Sequence, residues 1–147
     1  MRKAIYFDMD GTIANLYGVE NWLPMLENRD STPYKEAKPL IRLNVLARKL
    51  NELQRKGYKI GIVSWLAKNG TREYNKRVII EKINWLHTHL RSVMWNEIHI
   101  VEYGTPKQNI VEYPHGILFD DEQKNRIDWI GQAHDETNIM GVLKAIS

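Results

Sequence analysis

Apolar residues along this chain keep two different rhythms. Residues 3–8 (KAIYFD) form a short apolar run that ends in an acid, with Gly11 just beyond. That is the pattern of a buried strand entering a tight turn. Residues 58–64 (YKIGIVS), 97–102 (EIHIVE) and 116–120 (GILFD) repeat the form, and residues 132–134 would add a short fifth strand. Between the runs the period lengthens. Leu43, Leu46, Leu50 and Leu53 predict a helix over residues 39–56, with Pro39 in its first turn and Gly57 as its stop. Ile79, Ile83, Leu86 and Leu90 predict a second over residues 72–91, after the Asn69-Gly70 turn. A short helix or turn is expected at 105–111, a short helix at 123–130, and a closing helix from about residue 136. Residues 13–38 hold neither period. Gly18, Pro24 and Pro33 break them into a loop-rich excursion with one short helix near residues 19–27.

Strands that alternate with helices imply an α/β fold: a three-layer, Rossmann-like parallel sheet with right-handed crossovers and helices on both faces. One domain over residues 1–147 is expected, with 13–38 as a minimal cap-like insertion. In such sheets ligands bind beyond the carboxyl ends of the strands, so the residues that follow each strand carry the functional information. They are Asp8, Asp10, Gly11 and Thr12 after the first, Ser64 and Trp65 after the second, Lys107 beyond the third, and Asp120 and Asp121 after the fourth. Packing does not require acids at one sheet edge, and acids crowd badly without a neutralising charge. Four carboxylates converging there suggest a divalent cation with oxygen ligands, such as Mg2+. Asp8 could then attack phosphorus in line, and Asp10 could protonate the leaving oxygen and later activate water. Ser64 and Lys107 would hold phosphate oxygens, Gly11 would allow the sharp turn, and Thr12 could add a hydroxyl or a backbone N–H.

This arrangement resembles the haloacid dehalogenase superfamily of phosphatases. The likeness rests on DMDGT at residues 8–12, GIVS ending at Ser64, GTPK ending at Lys107, and LFDD ending at Asp120 and Asp121. It implies a nucleophile at Asp8, an acid/base at Asp10, phosphate contacts at Ser64 and Lys107, and magnesium binding by Asp8, Asp10, Asp120 and Asp121. Asp10 matters because the phosphatases and mutases of the superfamily carry that second aspartate and the dehalogenases lack it. The short insertion and the lysine segment look like the small deoxyribonucleotidase branch. The stretch from Ser64 through GTREYNKR is similar to polynucleotide 3′-phosphatases. In that group an arginine often follows the motif serine; here Trp65 stands in that place, and Arg72 could supply the charge.

Composition narrows this little. Hydrophobic residues make up 43% and charged residues 27% of the chain, an ordinary globular balance that gives no case for disorder. The absence of cysteine removes thiolate metal sites and a cysteine nucleophile. The first residues read as a strand better than as a leader peptide, and no apolar stretch approaches a membrane span. A soluble, cytoplasmic protein is expected. A net charge of +3 suits an anionic substrate but is too small to identify one. A small insertion cannot form a large closed lid, so a bulky or polymeric substrate could reach the site. Its aromatics, Tyr17, Trp22 and Tyr34, could stack a base or simply pack the insertion onto the core. The expected activity is therefore a magnesium-dependent phosphomonoester hydrolase acting on a phosphorylated small molecule, a nucleotide first. The alternatives are a nucleic-acid end, another small phosphate ester, or an inactive scaffold that only binds.

Overall fold

The computed structural model describes residues 3–147. Its centre is a five-stranded parallel sheet built from β1 (Ala4–Phe7), β4 (Lys59–Trp65), β5 (Glu97–Val101), β6 (Ile117–Phe119) and β7 (Ala133–His134). The order across the sheet is β5-β4-β1-β6-β7. The chain winds outward from β1 in one direction and then returns to its other side. The crevice at the carboxyl ends of β1 and β6 is therefore the topological switch point, where open α/β sheets bind ligands.

Successive strand residues face opposite ways. Ile5 and Phe7 of β1 and Ile60 and Ile62 of β4 lie in one core with Leu46, Leu50 and Leu53 of α3 (Leu43–Arg55), with Trp85 and Leu86 of α4 (Arg72–His89), and with Ile139 and Leu143 of α6 (Ile139–Ile146). Ala4 and Tyr6 face the opposite layer, where Val111 and Trp129 pack; Trp129 directly follows α5 (Gln123–Asp128). The expected three-layer arrangement is thus present.

Local differences have local causes. Pro39 does not open a helix. It pairs with Ala14 in a two-stranded antiparallel ribbon of β2 (Ala14–Asn15) and β3 (Lys38–Pro39), and α3 begins only at Leu43. Pairing across the insertion outweighs the local preference of proline for a helix start. Residues 13–38 hold two short helices, α1 (Trp22–Glu27) and α2 (Thr32–Glu36), where one was expected. Of the short helix or turn expected at 105–111, the chain forms a single 3-10 turn, Lys107–Asn109. The buried stripe of α4 also differs from the expected one. It runs through Tyr74, Val78, Lys82, Trp85 and Leu86, while Ile79 and Ile83 are only partly covered. Among the described residues, no helix is long and apolar enough to cross a membrane.

Candidate active site

The loop after β1 is fixed by backbone geometry before any side chain acts. The Met9 carbonyl accepts from the N–H groups of Thr12, Ile13 and Ala14, at 3.1, 3.0 and 2.9 Å. Gly11 adopts φ 81°, and a Cβ placed there would lie 2.3 Å from the Asp121 carboxylate. Only glycine both tolerates that backbone and leaves room for the acid. The Asp8 N–H donates to the Phe119 carbonyl (2.9 Å), so the sheet ladder carries on one residue past β1 and sets Asp8 beside the end of β6.

Asp8, Asp120 and Asp121 there bring carboxylate oxygens within 4.8 Å of one another. Lys107 is buried between two of them, donating to Asp8 Oδ1 at 3.0 Å and to Asp120 Oδ2 at 2.6 Å. Burial alone would lower the pKa of Lys107; the two carboxylates more than offset this and hold its ammonium charged. The Thr12 hydroxyl donates to Asp8 Oδ2 at 3.0 Å and accepts from the Asp121 N–H at 3.1 Å. Both Asp120 oxygens are engaged, one by Lys107 and the Asn125 amide and the other by the Glu122 N–H. Asp121 has only a long contact, from the Thr12 hydroxyl to Oδ1 at 3.4 Å. Burial and then the Asp8 charge push its carboxyl up to about 8, and the same causes push Asp120 up to about 6.

Asp10 lies apart from this cluster. Its Oδ2 pairs with Lys82 at 2.9 Å, and 15% of its side chain remains exposed. Burial raises its pKa, Lys82 works against the rise, and Asp8 adds to it. Lys82 was not among the residues the sequence singled out. It reaches the site from the middle of α4, 1% exposed, and also donates to Ser64 Oγ and the Trp65 carbonyl, both at 2.7 Å.

Asp8, Asp10, Lys107 and Asp121 line an open cavity of about 530 Å³. Two aromatic pairs stand in its wall, Tyr17 with Trp22 and Trp65 with Tyr103, each with ring centroids 4.9 Å apart. Tyr34 also reaches the cavity, though it is 4% exposed and serves mainly to pack α2 against α4. The other expected contacts fall elsewhere. Ser64 is fully buried, and its hydroxyl faces Lys82. The Thr12 hydroxyl is committed to Asp8 and Asp121, and the Gly11 N–H to the Ala14 carbonyl. Arg72 is exposed at the start of α4, outside the cavity lining. Arg29 and Lys68, unremarkable in the sequence, do line the cavity.

The donor set fits a divalent cation. When ionised, the three clustered carboxylates face a single lysine, Lys107, which leaves two negative charges uncompensated. Burial first, and then the neighbouring Asp8 charge, raises the pKa of Asp121. This rise has a measurable consequence. In the unfolded chain these carboxyls titrate near 4. Through the window from there up to about pH 8, the folded metal-free protein holds more protons than the unfolded chain, so its stability falls as pH rises. The melting temperature in chelator should drop between about pH 6 and pH 8, and Asp121→Asn should flatten that slope. Scanning calorimetry across the window checks it; a slope equally steep in the variant would refute the assignment.

No family model matches the chain, and no curated protein matches it. Among solved structures it is similar to a crystal structure of D,D-heptose 1,7-bisphosphate phosphatase from Burkholderia thailandensis, at 12% identity and a TM-score of 0.48 over 84% of this chain and 69% of that one.

Proposed function

We propose that this chain is a magnesium-dependent phosphomonoester hydrolase of the haloacid dehalogenase type, with a nucleotide as its substrate. The observation that carries the reading is the pairing of Asp8 and Asp10 at the switch-point strand end. Asp8 is held by Lys107 and Thr12, Asp10 is held on one oxygen only, and both face the same open cavity.

In this reading an Asp8 oxygen attacks phosphorus in line, the ester P–O bond breaks, and the phosphoryl group is carried on Asp8 as an acyl phosphate. Asp10 gives its proton to the departing oxygen through Oδ1. It then takes a proton from the water that attacks the acyl phosphate, which returns Asp8 and frees phosphate. The raised pKa of Asp10 favours its starting as the acid. Asp8 and Asp121 would hold the magnesium, with the Asp10 backbone carbonyl as a further oxygen. Asp120, wholly buried and outside the cavity lining, would act from behind by holding Lys107. Bound magnesium would supply the positive charge the site lacks and neutralise the phosphoryl oxygens.

The aromatic pairs support a nucleobase in the leaving group, since a base stacked on aromatic rings gains about 1–3 kcal/mol. Trp22→Ala should therefore raise KM for the best nucleoside monophosphate roughly tenfold while changing that for a small aryl phosphate far less. Steady-state phosphate release checks it, and equal effects on both substrates would remove the nucleotide claim. A second reading, a polynucleotide 3′-phosphatase, is favoured by Arg29 and Lys68 in the cavity lining, where they could meet a second phosphate. It predicts a lower KM for a 3′-phosphorylated oligonucleotide than for any mononucleotide. No turnover of any phosphate ester with magnesium supplied would leave only the inactive scaffold.

A further inference from the structure

We propose that Lys82 is a positioning residue of this active site, which aims Asp10 and joins the loops after β1 and β4 into one unit. The inference rests on the phosphatase reading and adds to it a residue that no strand-end motif contains.

A lysine at the centre of a helix usually extends into water. Lys82 instead lies on the buried stripe of α4, between Val78 and Trp85, and is 1% exposed. Burying an ammonium is costly unless its donors are satisfied. Here all three are used: Asp10 Oδ2 at 2.9 Å, Ser64 Oγ at 2.7 Å and the Trp65 carbonyl at 2.7 Å. The Tyr34 ring covers the same ammonium, with its centroid 5.1 Å away. A lysine has no fourth donor, so Lys82 has none left for a phosphate oxygen. Its role is fixed by what it holds.

The grip on Asp10 is one-sided. Oδ2 is tied to Lys82, while Oδ1 has no hydrogen bond from the described residues and Asp10 opens onto the cavity. A carboxyl that transfers a proton needs one oxygen anchored and the other free to reach the substrate. The other two bonds run to the end of β4, whose Trp65 forms part of the cavity wall. Lys82 thus couples the direction of the acid to the placement of the ring that meets the leaving group. Misplacement of a reacting group by about 1 Å can cost on the order of 100-fold in rate.

The test combines Lys82→Met, Lys82→Arg and Asp10→Asn, assayed with magnesium on an aryl phosphate and checked for folding by near-ultraviolet circular dichroism. Lys82→Met should lower kcat at least about 100-fold with KM changed less than about threefold. In the Asp10→Asn background the same change should cost less than about threefold more, because Lys82 acts through the group already lost. Lys82→Arg retains the charge and so guards against failure of the methionine variant to fold. Its planar guanidinium cannot reproduce three bonds arrayed around one nitrogen, so kcat should fall at least about tenfold. Full activity of Lys82→Arg, or a Lys82→Met loss that adds in full to that of Asp10→Asn, overturns the proposal and leaves the phosphatase reading intact. An inactive wild-type protein overturns both.

Discussion

Asp8→Asn should abolish phosphate release, with kcat lowered on the order of 10⁴-fold or more for every phosphate ester the wild-type protein hydrolyses. The size follows from the chemistry. An amide cannot form the acyl phosphate, and Asp120, the acid that shares Lys107 with Asp8, is wholly buried. The substitution is nearly isosteric, but its one side-chain oxygen can keep only one of the Thr12 and Lys107 contacts, which fall on different oxygens of Asp8. It also removes one negative charge from a site that carries an excess of them, so the melting temperature in chelator should hold or rise. Phosphate release together with thermal melts separates the two effects. Full activity in a folded Asp8→Asn protein would show that the nucleophile lies elsewhere.

The sequence made the strand-end acids legible because a strand gives way to a polar loop at a definite residue, and Asp8, Asp120 and Asp121 all follow buried apolar runs. Asp10 and Gly11 were legible for the same reason. Ser64 was located correctly at the end of β4, but its orientation was not readable. Whether that hydroxyl meets the cavity or Lys82 depends on a helix that passes 18 residues later. Lys82 itself was hidden by the polarity rule that underlies amphipathic reading, because a lysine is ordinarily assigned to the wet face. The stripe Tyr74, Val78, Lys82, Trp85 held the signal: three large apolar residues in helical register with the lysine between them. The isoleucines at 79 and 83 pointed instead to a neighbouring face. Pro39 was misplaced because its partner, Ala14, lies across the whole insertion, and no local propensity encodes such a pairing. Arg29 and Lys68 reach the cavity through the fold of loops, where sequence periodicity has nothing to say.

Lys107→Met should be the most destabilising single change at the site. Lys107 is 3% exposed and bridges Asp8 and Asp120, which are 6% and 0% exposed. Removing the cation leaves two carboxylates buried without it, and breaking a buried ion pair this way costs about 3–5 kcal/mol. For a chain of this size that corresponds to a fall in melting temperature of roughly 10 °C. Activity should fall as well, at least about 100-fold, since the charge nearest Asp8 is gone. The cause can be isolated. Adding Asp120→Asn to Lys107→Met removes one of the stranded charges, so it should recover part of the lost stability while leaving activity low. Magnesium offers a second check. With Lys107 gone, the site carries one more uncompensated negative charge, so saturating magnesium should raise the melting temperature of Lys107→Met by more than it raises that of the wild type. An equal rise in both proteins would mean that the lysine and the metal do not act on the same carboxylates. The electrostatic account of the site would then have to be given up, even if Asp8 kept its place as the nucleophile.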